Sequence, residues 1–233
     1  MRVFPIEAFS DNYIWMVEEQ KKVIVVDPGE ATDVLDYLEA NNLEEVVILL
    51  THKHEDHVGG VKEIITQYPE TVVYGPKEAE QFVNSIVKDG DTFELYGQTF
   101  KVFETAGHTE GHISYLMGDA LFCGDALFSG GCGRVFTGDY QAQYDALQKF
   151  KQLDNQVKVY AGHEYTQTNL KFAQTIEPRN EVIGEALEEV NELLDKGEPT
   201  LPSTIGKEKE INLFMRAETL EEFIKLREAR DDF

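Results

Sequence analysis

Thr51-His52-Lys53-His54-Glu55-Asp56-His57-Val58-Gly59-Gly60 follows directly on the apolar run Val46-Val47-Ile48-Leu49-Leu50. Three imidazoles and a carboxylate fall between His52 and His57, where a buried hydrophobic strand breaks into a polar segment. Strand ends of this kind are where α/β sheets place their chemistry. Alternate side chains of an extended segment point in opposite directions, so one short run can serve two metal ions at once.

Outward from this run, Val23–Val26 reads as a strand closed by the turn Asp27-Pro28-Gly29. Thr32–Ala40 has helical spacing with Thr32 as its N-cap. A helix is expected from about Val58 to Tyr68, then strands at Val72–Tyr74, Phe100–Phe103, Ile113–Met117 and Leu121–Cys123. Tyr144–Leu153 reads as a helix, and Val157–Tyr160 as a strand running into Ala161-Gly162-His163. One pattern recurs, at 52–57, 108–112, 125 and 163: a hydrophobic strand, then a loop with His or Asp. After residue 165 the character changes to Glu-rich helical segments, Glu181–Leu194 and Leu220–Ala229, with Pro199 and Pro202 between them. Two domains are expected, an α/β catalytic domain over 1–165 and a small helical domain over 166–233.

The chain of 233 residues with 42% hydrophobic content can bury a full core. A formal charge of −23 argues against a nucleic-acid partner, whose phosphates demand a basic face. No stretch reaches the length of a membrane span, and the N-terminus lacks a signal-peptide hydrophobic region. Two cysteines, Cys123 and Cys132, are too few for a disulfide scaffold, so a cytoplasmic location is expected. Cys132 has no base beside it in sequence to make it a nucleophile, and Ser129 lacks the strand-to-helix elbow of a serine hydrolase.

All six histidines lie in three places: 52, 54 and 57; 108 and 112; and 163. A single histidine is more often a hydrogen-bonded structural residue. Six in loops after strands, beside Asp56 and Asp125, point to a metal site. Imidazole and carboxylate without thiolate suit zinc, iron or manganese. A pair of such ions lowers the pKa of a shared water to about 7 and polarises a carbonyl, which points to a metal-dependent hydrolase.

Thr51–His57, Gly107-His108-Thr109-Glu110-Gly111-His112, Gly124-Asp125 and Gly162-His163 together resemble the metallo-β-lactamase superfamily. That resemblance implies an αββα sandwich. Phe9–Trp15, Phe128–Arg134, Gly162–Thr166 and Phe214-Met215-Arg216 are similar, more narrowly, to the glyoxalase II (hydroxyacylglutathione hydrolase) family, and the likeness covers essentially the whole chain. It implies a binuclear-metal thioesterase that hydrolyses S-D-lactoylglutathione and related 2-hydroxyacylglutathiones to D-lactate and glutathione, a metal-bridging hydroxide attacking the thioester carbonyl. It assigns His52, His54 and His108 to one metal, most simply zinc, and Asp56, His57 and His163 to a second, with Asp125 bridging. Asp56 and Asp125 are thus the expected catalytic carboxylates. His112 is expected beside the ligands without binding metal. Asp27 is either a carboxylate that orients a ligand or a simple turn residue.

By the same resemblance Arg134 and Tyr165 face glutathione, and Phe136 stands where many members carry tyrosine. Arg227 and Arg230 lie three apart on the last expected helix, so two cations share one face in a very acidic chain. That suggests an anion between them, such as the glycine carboxylate of glutathione, against the alternative that they complement the helix dipole with Asp231. The expected partner is a small-molecule glutathione thioester, with no nucleic acid, no membrane and a monomeric chain. Two other readings stay open: a mononuclear-iron glutathione persulfide dioxygenase on the same fold, and a metal-binding protein without catalysis.

Overall fold

The computed structural model describes residues 1–233. The chain divides into two compact units, Met1–Glu104 with Gly111–Gly118, and Thr105–Glu110 with Asp119–Phe233. This division falls elsewhere than the 165/166 boundary that composition suggests.

The first unit runs β1 (Arg2–Ala8), β2 (Asn12–Glu19), β3 (Lys22–Val26), α1 (Thr32–Ala40), β4 (Glu45–Leu49), α2 (Glu55–Val58), α3 (Val61–Gln67), β5 (Val72–Gly75), β6 (Ser85–Ile86), β7 (Thr92–Leu95), β8 (Gln98–Glu104) and β9 (Ile113–Met117). Strands β1 to β6 form a sheet in sequence order. β1, β2 and β3 pair antiparallel, whereas β3, β4, β5 and β6 pair parallel. Parallel neighbours need crossovers: α1 joins β3 to β4, α3 joins β4 to β5, and a short 3-10 turn at Lys77–Ala79 lies between β5 and β6. The apolar runs of β3 and β4 are buried, as expected of parallel strands covered on both faces. Val34, Leu35 and Leu38 of α1 and Val61 and Ile64 of α3 pack into the same core. β7, β8 and β9 form an antiparallel ladder.

Two expectations need correction here. α1 begins at Thr32 itself, Ala31 occupies the cap position, and no side chain caps the helix. The helix expected from Val58 to Tyr68 starts only at Val61, as α3, and Gly59-Gly60 separate it from the short α2 that ends at Val58. A Cβ on Gly60 would sit 2.4 Å from the Glu30 carbonyl carbon, so the backbone there passes too close for any other residue. Asp56 and His57 therefore ride on a one-turn helix rather than a loop.

The second unit contains β10 (Ala120–Gly124), α4 (Tyr140–Lys151), β11 (Lys158–Ala161), α5 (Thr166–Ile176), α6 (Glu181–Asp195), β12 (Ser203–Thr204), α7 (Ile205–Ile211), α8 (Leu213–Arg216) and α9 (Leu220–Asp231). β10 and β11 pair parallel, and β12 joins β11 antiparallel. Phe150, Phe172, Phe214 and Phe223 are buried among the helices, with Phe214 packed against both Phe172 and Phe223. Asn180, Thr204, Asn212 and Thr219 cap the N-termini of α6, α7, α8 and α9 through side-chain acceptors. No helix is long and apolar enough to cross a membrane.

Candidate metal centre

β3 and β4 run parallel, so Asp27 and the 51–57 run leave the same edge of the sheet. The 51–57 run is anchored from its first residue. Leu50 N–H donates to Tyr74 O at 2.8 Å, Tyr115 Oη donates to Leu50 O at 2.8 Å, and Ile113 N–H donates to Thr51 O at 2.9 Å. Asp27, 4% exposed and held at φ 52°, faces Thr51 and His57. Its Oδ1 accepts Thr51 N–H at 2.8 Å, and its Oδ2 accepts the Thr51 hydroxyl at 2.7 Å and lies 3.1 Å from His57 Nδ1.

Those bonds settle two tautomers. A carboxylate only accepts, so His57 carries its proton on Nδ1 and keeps a lone pair on Nε2. The Thr51 hydroxyl spends its one proton on Asp27, so at 2.9 Å from His52 Nδ1 it must accept from that nitrogen. His52 thereby also keeps its lone pair on Nε2. One carboxylate, acting directly and through a threonine, leaves the Nε2 of two histidines able to accept a metal ion.

In the second unit β10 and β11 are parallel, so Gly124-Asp125 and Gly162-His163 leave one edge together, with Gly162 N–H on Gly124 O at 2.9 Å. His108 Nδ1 donates to the carbonyl of Arg134 at 2.9 Å, which turns Nε2 toward Asp125 Oδ2 at 3.4 Å. His163 Nε2 lies 3.4 Å from the same oxygen. Gly133 makes this approach possible: a Cβ there would stand 2.1 Å from Asp125 O and 2.8 Å from His108 Nδ1.

The donor spacing fits a divalent ion. Two ligands on a tetrahedral zinc with bonds of ~2.0–2.1 Å are about 3.3–3.4 Å apart. His52 Nε2 and His54 Nδ1 are 3.1 Å apart, His57 Nε2 and Asp56 Oδ2 3.5 Å, and Asp125 Oδ2 is 3.4 Å from each of its histidines. With its proton on Nδ1, His52 offers Nε2 as the acceptor of a hydrogen bond from His54 Nδ1. His112, fully buried, stacks on His52 with ring centroids 4.9 Å apart, and so packs against a candidate ligand.

The residues expected at a substrate are placed as follows. Arg134 is half-exposed, and its Nε lies 3.2 Å from Asp231 Oδ1. Tyr165 stacks flat on His163 with centroids 4.7 Å apart. Phe136 is exposed and meets the His108 ring edge-on at 5.3 Å. Arg227 is buried, donating to Cys132 O at 2.7 Å and to Asp231 Oδ1 at 2.9 Å. Arg230 donates to Asn169 Oδ1 at 3.3 Å. The carboxylate beside Arg227 is thus the chain's own Asp231, shared with Arg134. Cys123 and Cys132 are both buried, and burial pushes their thiols up from the ordinary value, which removes either as a nucleophile.

Three groups escaped the sequence reading. Asn12 Nδ2 donates to Asp56 Oδ2 at 3.0 Å and so holds that carboxylate; it lies in the Phe9–Trp15 motif, which offered a signal. Thr51 opens the ligand run, but its relay depends on Asp27 being beside it. Glu208 stands in the charged string Lys207-Glu208-Lys209-Glu210, which looks like a solvated helix face, yet it is fully buried.

Known proteins bear on this centre in three ways. The family described as the metallo-β-lactamase superfamily matches residues 9–163, and the hydroxyacylglutathione hydrolase C-terminus matches residues 164–233. The chain is 54% identical to the hydroxyacylglutathione hydrolase of Glaesserella parasuis and 48% identical to that of Actinobacillus pleuropneumoniae serotype 5b, with all of each chain covered in both pairs. The crystal structure of ETHE1 from Myxococcus xanthus superposes with a TM-score of 0.74 at 24% identity, covering 98% of this chain and 90% of that one. That likeness bears on the fold alone and agrees with the α/β sandwich expected, its strands in two mixed sheets. By full-length identity and by both family matches, this chain belongs to the metallo-β-lactamase superfamily and, within it, to the hydroxyacylglutathione hydrolases.

Proposed function

We propose that the protein is a glyoxalase II, hydrolysing S-D-lactoylglutathione and related 2-hydroxyacylglutathiones to the hydroxy acid and glutathione at a centre of two divalent ions. The observation that carries this is the likeness to hydroxyacylglutathione hydrolases over the whole chain, including the C-terminal stretch from 164. His52, His54 and His108 would hold one ion, Asp56, His57 and His163 the other, and Asp125 both. Zinc suits the donor set best, with iron or manganese compatible. When bound, the ions supply a water acidic enough to be hydroxide near neutral pH and a Lewis acid for the thioester carbonyl.

The chain's own residues do the rest. Asp27 and Thr51 hold His52 and His57 in the ligating tautomer, and Asn12 keeps the Asp56 carboxylate turned to His57. The Arg134 carbonyl does the same for His108. Arg134, Tyr165 and Arg230 are the proposed contacts to glutathione. Arg227 would serve it by securing the Cys132 carbonyl, behind the loop that carries Arg134. The leaving group is a thiolate of ordinary pKa, so no protein acid has to protonate it. Residues 1–165 would form the catalytic part and 166–233 the glutathione-binding part. Two buried, unlinked cysteines are compatible with a cytoplasmic enzyme, and we take it to act as a monomer.

The test is hydrolysis of S-D-lactoylglutathione beside simple oxygen esters, with metal content measured on the same sample. Two ions per chain and a strong preference for the thioester are expected. One ion, with oxygen uptake on glutathione persulfide and no hydrolysis, would favour the dioxygenase reading instead. Two ions with neither activity would favour the metal-binding reading.

A further inference from the structure

Glu208 is fully buried, and no cation lies among its hydrogen-bond partners. Its Oε1 accepts the hydroxyls of Ser129, at 2.8 Å, and Ser203. Its Oε2 accepts Gly130 N–H at 2.8 Å and Asn212 Nδ2 at 3.1 Å. Burial pushes its carboxyl up from the ordinary range while the four donors pull it down. An uncompensated buried carboxylate is costly, so its position makes sense only if its four bonds secure something.

They secure a loop. Residues 128–134 turn through the Phe128–Gly131 bridge and Gly130 at φ 69°, then lead to Arg134. Asn212, itself a partner of Glu208, donates to Phe128 O at 3.2 Å and Gly131 O at 2.9 Å, and Asn169 donates to Ser129 O at 3.1 Å. Apart from the Phe128–Gly131 bridge the loop makes no regular backbone ladder, so these side chains set its shape. We propose that Glu208 is a positioning residue for the glutathione thioester. It fixes the 128–134 loop from beneath and so sets where Arg134 presents its guanidinium. This rests on the reading in which Arg134 contacts glutathione.

The carboxylate's role here is geometric, which gives a clean test. A glutamine can keep all four bonds: its Oε1 accepts from Gly130 and Asn212, while its Nε2 donates to the two serine hydroxyls, which accept as readily as they donate. Alanine removes every bond, and aspartate withdraws the carboxylate by one methylene. In metal-replete protein, Glu208→Ala should raise KM for S-D-lactoylglutathione about tenfold with kcat within about threefold, and Glu208→Gln should restore KM to within about twofold. Should Glu208→Ala fail to fold, Glu208→Asp carries the test, with KM expected to rise. A folded Glu208→Ala or Glu208→Asp protein with lowered melting temperature but wild-type KM would overturn the proposal. Failure of Glu208→Gln to rescue KM would overturn it too. Arg134→Ala measured alongside separates the two levels. If it raises KM while the folded Glu208→Ala or Glu208→Asp variant leaves KM unchanged, the inference alone fails. If Arg134→Ala leaves KM unchanged, the substrate-contact reading falls, and the inference with it.

Discussion

Replacing Asp27 by Asn changes one atom and should cost metal affinity without unfolding the protein. Asn tolerates the φ of 52° at this position about as well as Asp, so backbone strain is held constant. The amide oxygen can take the place of Oδ1 and keep the Thr51 N–H, but the amide nitrogen then replaces Oδ2. That nitrogen faces His57 Nδ1–H, donor against donor, and relief requires His57 to move its proton to Nε2. The Thr51 hydroxyl would have to accept from the amide and donate to His52, putting the His52 proton on Nε2 as well. Both nitrogens proposed as ligands would be blocked. To bind metal, the variant must flip its amide and leave the buried Thr51 N–H against an NH2 group. That route costs about 1–3 kcal/mol, the penalty of a buried unsatisfied donor. The expected loss of affinity is therefore on the order of 10–100-fold, and the cheaper of the two routes sets it. Chelator competition on metal-stripped protein measures it directly, and the melting temperature of the stripped variant should stay close to that of the stripped wild type. Wild-type metal affinity in Asp27→Asn would refute the tautomer argument. So would a loss explained wholly by an unstable apoprotein.

Further outcomes follow from the same geometry. Thr51→Val removes only the relay to His52, so it should weaken metal binding by on the order of tenfold, and less than additively with Asp27→Asn in chelator titrations. Asp125→Ala or His57→Ala should abolish thioester hydrolysis while circular dichroism stays native; unchanged turnover in protein of verified metal content would sink the two-metal proposal. The Glu177 carboxyl is held below its ordinary 4.5 chiefly by the Arg216 fork, with bonds of 2.9 and 3.0 Å. A depressed folded pKa stabilises above the unfolded value and loses that contribution as pH falls through the folded one. Glu177→Gln should therefore lower the melting temperature modestly at pH 7 and not at all in strong acid, since the pair is one-third exposed. Cys123 and Cys132, buried with raised pKa values, should resist a thiol reagent at pH 7 until the chain is unfolded.

Several elements were readable from local pattern and others were not. The parallel-strand cores at 22–26 and 45–49 are nearly continuous apolar runs, and both are strands. The N-terminal hairpin of β1 and β2 was missed: β1 is half-buried and carries a proline and a glutamate, so its alternation is weak. α5, Thr166–Ile176, was missed because its buried face includes Thr166 and Asn169, polar residues that bond inward. The break at Gly59-Gly60 could not be read at all, since it exists to let the distant Gly29–Glu30 backbone pass.

The candidate centre divides the same way. The chemical identity of the ligands, and the full-length likeness that names the family, lie in the one-dimensional string, because donor type and motif spacing are local properties. Which nitrogen of His52 and His57 bears a proton, and why Asp27 is more than a turn residue, depend on a contact across 24 to 30 residues. That Arg227 holds a loop carbonyl and that Glu208 is a buried clamp depend on contacts across 95 and 79 residues. Charge and helical spacing pair Arg227 with Arg230 around an anion and assign Glu208 nothing. Burial decides both, because a charged side chain is interpreted by the donors and acceptors that folding brings to it, and those are far away in sequence.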